Sequence, residues 1–301
     1  MSRPAQLDRL PPQAFFLVSA GFHYLGPALA VLLFARVDVL GVAWLRIASA
    51  ALVFAAWRRP WRRFSRRDGR RRRRLLAFGG VLAVMNTCFY LAGDRLPLST
   101  VGSIEFLGTV ILAAAGARTR RNVAALGLTT TGVAAITAIR LTGHPFGFVL
   151  AFANCGLFMA YVILGHRIAG VRPGDAGNRA GGIDLLAGAM LIAALAVTPV
   201  GLAGALPAFG RPGLLLAGIG VGVCSSVIPY VTDQLAMARM TRATFALMLA
   251  LLPVFAVIIG AIVLRQLPTP RDIAGIALVT AGVALHQESQ QRSRERTRER
   301  K

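Results

Sequence analysis

Residues 121–134 read RNVAALGLTTTGVA, and residues 271–284 read RDIAGIALVTAGVA. Seven of the fourteen aligned positions are identical, at an offset of 150 residues. A second match, at an offset of 144, pairs Leu91, Ala92, Arg95 and Thr100 with Leu235, Ala236, Arg239 and Thr244. The chain is therefore predicted to hold two copies of one structural unit, although short matches among apolar helices also arise by chance.

The repeated segments belong to a chain that is apolar along most of its length. Of its 301 residues, 55% are hydrophobic and 15% are charged, against about 25% charged in a typical soluble domain. An apolar helix of about 20 residues crosses the ~30 Å hydrocarbon core of a bilayer. Ten such spans are predicted, at 14–34, 39–57, 75–93, 99–117, 122–139, 146–165, 185–203, 213–234, 243–264 and 271–286.

The fold class that follows is an all-α integral membrane protein with two inverted five-helix repeats. The predicted units are residues 1–145 and 146–286, followed by a basic cytoplasmic tail at 287–301, either disordered or on the inner leaflet. Because five is odd, the second unit enters the membrane from the opposite side. Inverted repeats are a common design of alternating-access transporters, with the substrate site near the midplane between the halves.

The positions of the basic residues predict the orientation. With both termini in the cytoplasm, 27 of the 34 Lys and Arg lie in inside segments and 6 in outside loops. Such an excess on the cytoplasmic side sets topology, so a multi-pass protein of the cytoplasmic membrane is expected. The stretch at 14–34 resembles a signal peptide, but its length and the spans that follow favour a retained first helix.

The formal charge of +22 does not predict a nucleic-acid partner. The basic residues lie between apolar runs and at the tail, where no fold gathers them on one surface. Anionic lipid at the 58–74 loop is an expected partner, together with membrane lipids, a small-molecule substrate and, as a further option, a second copy in a homodimer.

Several catalytic and cofactor motifs are missing from the sequence. It has no GxxxxGK[ST] phosphate loop, no HExxH, no paired CxxC and no GxSxG elbow. Its three cysteines each lie within an apolar run, which argues against a disulfide framework. No cofactor, no metal and no enzymatic activity are therefore predicted.

Glu105 is the leading candidate for chemistry, in the predicted fourth helix (STVGSIEFLGTV). Ionisable groups within spans are costly and usually functional. A carboxylate in this setting can bind a proton at one stage of a transport cycle and release it at another. Gly102 and Gly108, three positions to either side, allow a close approach of a neighbouring helix or a substrate. The alternative is a structural Glu bonded to a hydroxyl or to Arg46.

Two other ionisable groups and one proline are expected to have structural or pairing roles. Asp233 lies near the cytoplasmic end of the eighth span, where it is either functional or simply interfacial. Arg46, in the second span, is expected to form an ion pair or extend its charge to the interface rather than bind a substrate carboxylate. Pro253 is expected to kink the ninth span.

Polar side chains along the spans form the candidate substrate site. Asn86 and Tyr90, and likewise Ser226 and Tyr230, are four residues apart and so share a helix face. A polar side chain within a span more often forms a hydrogen bond between helices than a contact with a ligand. The predicted substrate-binding residues are Asn86, Tyr90, Glu105, Tyr161, Tyr230, Ser226, Asn154 and His23.

The stretch MNTCFYLAGDRLPLSTVGSIEFLGT, residues 85–109, resembles the drug/metabolite transporter superfamily, and more narrowly the EamA-type threonine and homoserine exporters. That group has an Asn and a Phe-Tyr pair, then a Pro-Leu turn and a Glu-Phe-x-Gly-Pro motif. The matching residues here are Asn86, Phe89, Tyr90, Pro97, Leu98, Glu105, Phe106 and Gly108. The resemblance continues at Arg46, at residues 161–167 and at residues 228–230.

The chain also departs from the pattern of that group. The proline after Gly108 is Thr109 here, while Pro253 keeps the equivalent place in the second repeat. A Glu often found before that proline is Leu252, and a Leu-Gly-Glu element near the end of the ninth helix reads Leu-Arg-Gln at 264–266. With those acids missing, Glu105 is expected to be the sole coupling group.

The resemblance implies a ten-helix exporter of small metabolites, plausibly amino acids, driven by the proton gradient. The resulting hypothesis is alternating access, with a small zwitterion bound near the midplane and exchanged for a proton on Glu105. The alternatives are an importer or a carrier of drugs or amines with the same fold, a lipid-handling membrane protein, and a non-transporting sensor.

Overall fold

The computed structural model describes residues 10–60, 69–96, 98–114, 119–136, 144–169, 176–264 and 268–299. All regular secondary structure in these ranges is helical, which confirms the all-α prediction. The α-helices are α1 (Pro12–Phe34), α2 (Val39–Arg58), α3 (Gly69–Arg95), α4 (Leu98–Ala114), α5 (Arg120–Ile136), α6 (Pro145–Ala169), α7 (Ala176–Phe209), α8 (Pro212–Gly222), α9 (Ile228–Met237), α10 (Arg242–Met248), α11 (Leu252–Leu264) and α12 (Pro270–Glu299).

Two pairs of these helices continue into one another. A π-helical segment, Val223–Val227, joins α8 to α9, and a 3₁₀ turn, Leu249–Leu251, joins α10 to α11. The described residues therefore form ten continuous helical rods, and each predicted span overlaps one of them.

Six of the rods are long and apolar enough to cross a membrane. Of the other four rods, α4 and α5 have 17 residues each, or about 26 Å at 1.5 Å per residue; the α10–α11 rod is interrupted by a 3₁₀ turn, and α12 continues into a polar tail. The described residues thus establish a multi-pass helical protein and leave the crossing of these four rods as a prediction. The six are Pro12–Phe34, Val39–Arg58, Arg72–Arg95, Pro145–Ala169, Gly182–Phe209 and Pro212–Met237.

Large apolar side chains on the outer surface support this assignment. Leu52, Leu195 and Ile262 are each 70% exposed or more. Water would disfavour such a surface, whereas lipid tails accept it.

Local sequence explains where several helices begin and end. Pro12 and Pro212 occupy the first helical positions of α1 and α8, where a missing N–H costs nothing. The Asp38 carboxylate accepts from the backbone N–H groups of Leu40 and Gly41 and caps α2. At the other end of α2, Arg59 adopts φ 46°, a left-handed conformation that stops the helix.

Two ends differ from the sequence prediction. Helix α3 begins at Gly69, six residues before the predicted span, so the arginines of 70–74 extend it. Helix α12 runs on to Glu299, so the tail is helical and differs from the disordered alternative, while its placement on the inner leaflet stays a prediction. Arginine and glutamate are good helix formers, which accounts for both extensions. Much of the 58–74 loop, at 61–68, falls outside the described residues.

Helices α5 and α12 carry the repeated sequence and pack against each other along their length. A Cβ on Gly132 would lie 2.7 Å from the carbonyl oxygen of Gly275, and a Cβ on Gly282 would lie 2.7 Å from that of Ala125. Only glycine permits such an approach. The residue near the end of α5 packs on the beginning of α12, and the residue near the beginning of α5 packs further along α12. The two helices are therefore antiparallel.

Helices α2 and α7 form a second antiparallel pair. The Trp44 indole N–H donates to the Thr198 hydroxyl at 2.9 Å, and the Arg58 guanidinium pairs with Asp184 at 2.7 Å. Gly41 packs against the backbone at Gly204. Residues with higher numbers on α2 contact residues with lower numbers on α7, so the two helices are antiparallel.

The remaining main contacts come in matched sets. Helix α3 packs on α6 and α7, while the α8–α9 rod packs on α1 and α2. Helix α4 packs on α6 and on α10, and α11 packs on α1. The ten rods can be numbered in chain order, with the first following the tenth. If both rods of one of these contacting pairs are replaced by the rods five places later, the new pair is also in contact.

Candidate functional site

Two adjoining cavities lie between α1, α3, α4 and α6. The empty space within them, counting their open mouths, is about 510 Å³ and about 360 Å³. We call them together the Glu105 cavity. Residues that line both parts are His23, Pro27, Phe89, Glu105 and Phe158.

Glu105 lies in the wall shared by the two parts and is 8% exposed. The Asn154 amide of α6 donates to Glu105 Oε2 at 2.7 Å, and His23 Nε2 of α1 lies 4.0 Å from Oε1. Helix α4 turns this carboxylate inward between Gly102 and Thr109, which also line the cavity. Three of the sequence-predicted residues are thus brought together around one carboxylate.

Arg46 lines the smaller part and is 5% exposed. Its Nε donates to the Ser226 hydroxyl at 2.9 Å, and its Nη2 donates to the Ser225 carbonyl at 2.8 Å. The guanidinium carbon stands 5.4 Å from the centre of the Tyr90 ring, a cation–π contact. The side chain is therefore held inside the protein instead of extending to the interface.

The local sequence explains why the Ser225 carbonyl is available to accept a hydrogen bond from Arg46. An α-helical Ser225 carbonyl would accept from the N–H of residue 229, but Pro229 has no N–H. The π-helical segment ends at Val227, two residues before this proline, and such segments are frequent at functional sites. The freed carbonyl is the group that binds Arg46.

Asn86 and Tyr230 meet across the cavity wall. The Asn86 amide donates to the Tyr230 hydroxyl at 3.1 Å and to the Leu82 carbonyl at 2.7 Å. Both side chains are buried and line the smaller part of the cavity. Ser226 and Tyr90 lie behind Arg46 and line neither part.

Tyr161 is placed away from the cavity. Its hydroxyl donates to Asp233 Oδ2 at 2.9 Å, while the Ser19 hydroxyl donates to Oδ1 at 2.6 Å. All three residues are buried. We call them the Asp233 cluster. It joins α1 to α6 and α9, and Tyr161 also stacks on Phe78, with ring centres 5.8 Å apart.

The Asp233 cluster lies between the Glu105 cavity and one end of the helices. Ser19 precedes the cavity residue His23 on α1, and Asp233 follows the cavity residue Tyr230 on α9. The same end holds the contact of the Arg239 guanidinium with the Leu10 carbonyl, at 3.0 Å. By the distribution of arginines, this is the predicted cytoplasmic end.

Ser19 was missed by sequence reasoning, because an isolated serine in an apolar helix has no distinguishing pattern. The side chain of Pro253 lies outside what the structure describes. Among the described residues there is no group of three His, Cys, Asp or Glu able to hold a metal ion.

Comparison with known proteins now identifies the second half of the chain. Residues 146–286 match the EamA-like transporter family. This half is an EamA-like transporter domain. The resemblance noted in the sequence is thereby confirmed.

Relatives of known activity cover nearly the whole transporter. The threonine/homoserine exporter RhtA of Escherichia coli strain K12 is 28% identical over 289 residues, which is 92% of either chain. RhtA of Salmonella typhimurium strain LT2 has the same identity and coverage. The family and these relatives indicate a transporter and not an enzyme, as predicted.

The fold is also found in a crystal structure. A protein of 17% sequence identity matches with a TM-score of 0.66, covering 93% of this chain and 98% of the other. At this identity the likeness concerns the fold alone.

Proposed function

We propose that the transporter exports small amino acids such as threonine and homoserine across the cytoplasmic membrane in exchange for protons. The observation that carries this proposal is Glu105, a buried carboxylate that lines a cavity between the helices. The substrate class is that of the exporters it resembles over 92% of their length.

The exchange follows from competition for one carboxylate. Charge is costly within the membrane, so ionised Glu105 is stabilised by the ammonium group of an amino acid. A proton arriving from the more acidic outside neutralises Glu105 and releases the substrate there. Protonated Glu105 then returns to the inside, loses the proton and binds the next ammonium. The Asn154 amide orients the carboxylate throughout.

Alternating access requires two halves that move against each other, and we assign them to two inverted units of five helices. The antiparallel packing of α5 on α12 and the matched contacts of the other rods support this assignment. So does the contact between Asn86 and Tyr230, which are equivalent at the repeat offset of 144. Equivalent residues meet where a two-fold axis passes, and these two line the cavity.

The Asp233 cluster supplies the closed gate of this scheme. It joins Ser19 of the first unit to Tyr161 and Asp233 of the second. With these hydrogen bonds formed, the Glu105 cavity is separated from the predicted cytoplasmic end. Opening that end requires the Ser19–Asp233 bond to break.

The test is flux of labelled threonine and homoserine in proteoliposomes with an imposed pH gradient. The wild-type protein is expected to move both against their concentration gradients only while the pH gradient lasts. Glu105→Gln is expected to abolish gradient-driven export while the protein remains inserted, because the amide cannot exchange a proton.

Asp94→Asn is the matched control, since Asp94 is an exposed acid on α3 that pairs with neighbouring Arg95. It should export like the wild type. Undiminished export by Glu105→Gln would refute the coupling role, and no flux from correctly folded wild type would refute the substrate class.

A further inference from the structure

Arg46 is a buried cation that lines the cavity and forms no direct ion pair among the described residues. Ion pairs within the described part of the chain join Glu105 to His23, Arg58 to Asp184 and Arg95 to Asp94, and none of them reaches Arg46. The acceptors of its hydrogen bonds, the Ser226 hydroxyl and the Ser225 carbonyl, are neutral. A buried charge without a direct ion pair is costly, which favours the binding of an anion at this position.

The guanidinium is fixed before any ligand arrives. The π-helical segment supplies both acceptors, and the Tyr90 ring packs against the guanidinium, 5.4 Å from its carbon. Arginine has five N–H donors, and the described contacts use two of them. A side chain held in this way loses little entropy on binding, which favours affinity.

The cavity also carries the opposite charge. Arg46 and Glu105 both line its smaller part, of about 360 Å³. The apolar side chains of Met85, Phe89 and Phe158 lie in the same lining. A ligand that matches this lining has an anionic group, a cationic group and a short aliphatic part.

We propose that Arg46 binds the α-carboxylate of the transported amino acid, while Glu105 binds its ammonium group. The role is one of recognition and replaces the pairing role expected from the sequence. It rests on the proposed function for the identity of the substrate, though not for the anion site itself. Planar carboxylates suit the guanidinium fork, which can donate two parallel hydrogen bonds.

The test compares ligands that differ by one charged group. Calorimetry on purified protein in detergent would give dissociation constants for L-threonine, for L-threoninol, whose carboxylate is replaced by CH₂OH, and for 3-hydroxybutyrate, which lacks the amine. Wild type is expected to prefer threonine over threoninol by roughly 10- to 100-fold, the range for a charged hydrogen bond.

Arg46→Gln is expected to abolish that preference by weakening threonine binding and leaving threoninol binding within about 3-fold of wild type. Arg46→Lys keeps the charge but not the fork, so it should retain part of the preference. Arg95→Gln is the control, because Arg95 donates to the Leu91 carbonyl on its own helix, and it should keep the full preference.

The outcomes separate this inference from the proposed function. Equal loss of threonine and threoninol binding in Arg46→Gln, or an unchanged preference, would overturn the role of Arg46 even if threonine is exported. If the wild-type protein binds threonine and threoninol equally well, this result alone would overturn the role of Arg46. Binding of 3-hydroxybutyrate that depends on Arg46, in a protein that moves no threonine, would support the anion site and refute the amino-acid substrate.

Discussion

At the scale of single residues, two buried acids have different surroundings, and we expect them to have different roles. Glu105 faces a cavity and receives one amide donor, from Asn154. Asp233 lines neither part of the Glu105 cavity and receives two hydroxyl donors. An acid open to a ligand can exchange its counter-ion, whereas one with both oxygens hydrogen-bonded inside the protein holds helices together.

The Ser19 hydroxyl is expected to stabilise the closed gate. Ser19→Ala leaves a buried carboxylate with one donor fewer, which should lower the free energy of unfolding by about 1–3 kcal/mol. Combined with Tyr161→Phe, the loss should be non-additive, because the two hydroxyls share one carboxylate. Chemical unfolding in detergent measures both effects.

Ser49→Ala provides the comparison for that experiment. The Ser49 hydroxyl is equally buried, but it donates to backbone carbonyls of its own helix, Leu45 at 2.6 Å and Arg46 at 3.2 Å. Its removal should change stability by less than about 0.5 kcal/mol. A Ser19→Ala effect no larger than this would exclude a stabilising role for the Asp233 cluster.

The sequence predicted Glu105, Asn154 and His23 as members of one set of eight substrate-binding residues, but it did not predict that Asn154 and His23 are the partners of Glu105. It could not locate Tyr161, because a tyrosine within a helix shows neither its direction nor its partner. The position of Arg46 was equally hidden. Its anchor is a carbonyl released by a proline, and backbone acceptors have no sequence pattern of their own.

At the scale of helices, the close packing of α5 on α12 should be the most sensitive to added volume. Gly132→Ala places a methyl group 2.7 Å from the Gly275 carbonyl oxygen, which should cost about 1–3 kcal/mol of stability. The loss is measured as a lower midpoint of thermal unfolding in detergent.

Gly127→Ala on the same helix is the matched control, because a Cβ there meets nothing within 4 Å. It should be neutral or stabilising by up to about 1 kcal/mol, the difference in helix propensity between alanine and glycine. If both variants unfold alike, the packing of α5 on α12 is not what stabilises the fold.

The positions of the helices were predictable because a run of about 20 apolar residues is the length that a helix needs to cross a membrane. Helix ends were less so. The arginines of 70–74 and the polar tail look like loop sequence, yet both continue a helix, since charged residues with good helix propensity need no membrane to remain helical.

At the scale of the whole molecule, the number of membrane crossings can be tested with one informative position. With ten spans, Thr119 and Arg239 lie inside, while His144 and Arg211 lie outside. If only the six candidate spans named above cross, Thr119 moves to the outside and the other three positions keep their sides. The crossing of α4 therefore determines the side of Thr119.

Alkaline phosphatase fused after Thr119 should be inactive and green fluorescent protein fused there should be bright, because phosphatase matures only outside the cytoplasm. Fusions after His144 should behave oppositely. Phosphatase activity after Thr119 would show that α4 does not cross and would refute the five-helix unit.

The contact between Asn86 and Tyr230 bears on the history of the protein. If the two units descend from a duplicated ancestral gene, the offset of 144 makes Glu105 the counterpart of Leu249, and Asp233 the counterpart of Phe89. Neither acid has an acidic counterpart. Each was therefore gained, or its counterpart lost, after the copies had begun to diverge. The ancestral half, assembled with its own copy, would have presented identical faces to both sides of the membrane and could have had no preferred direction.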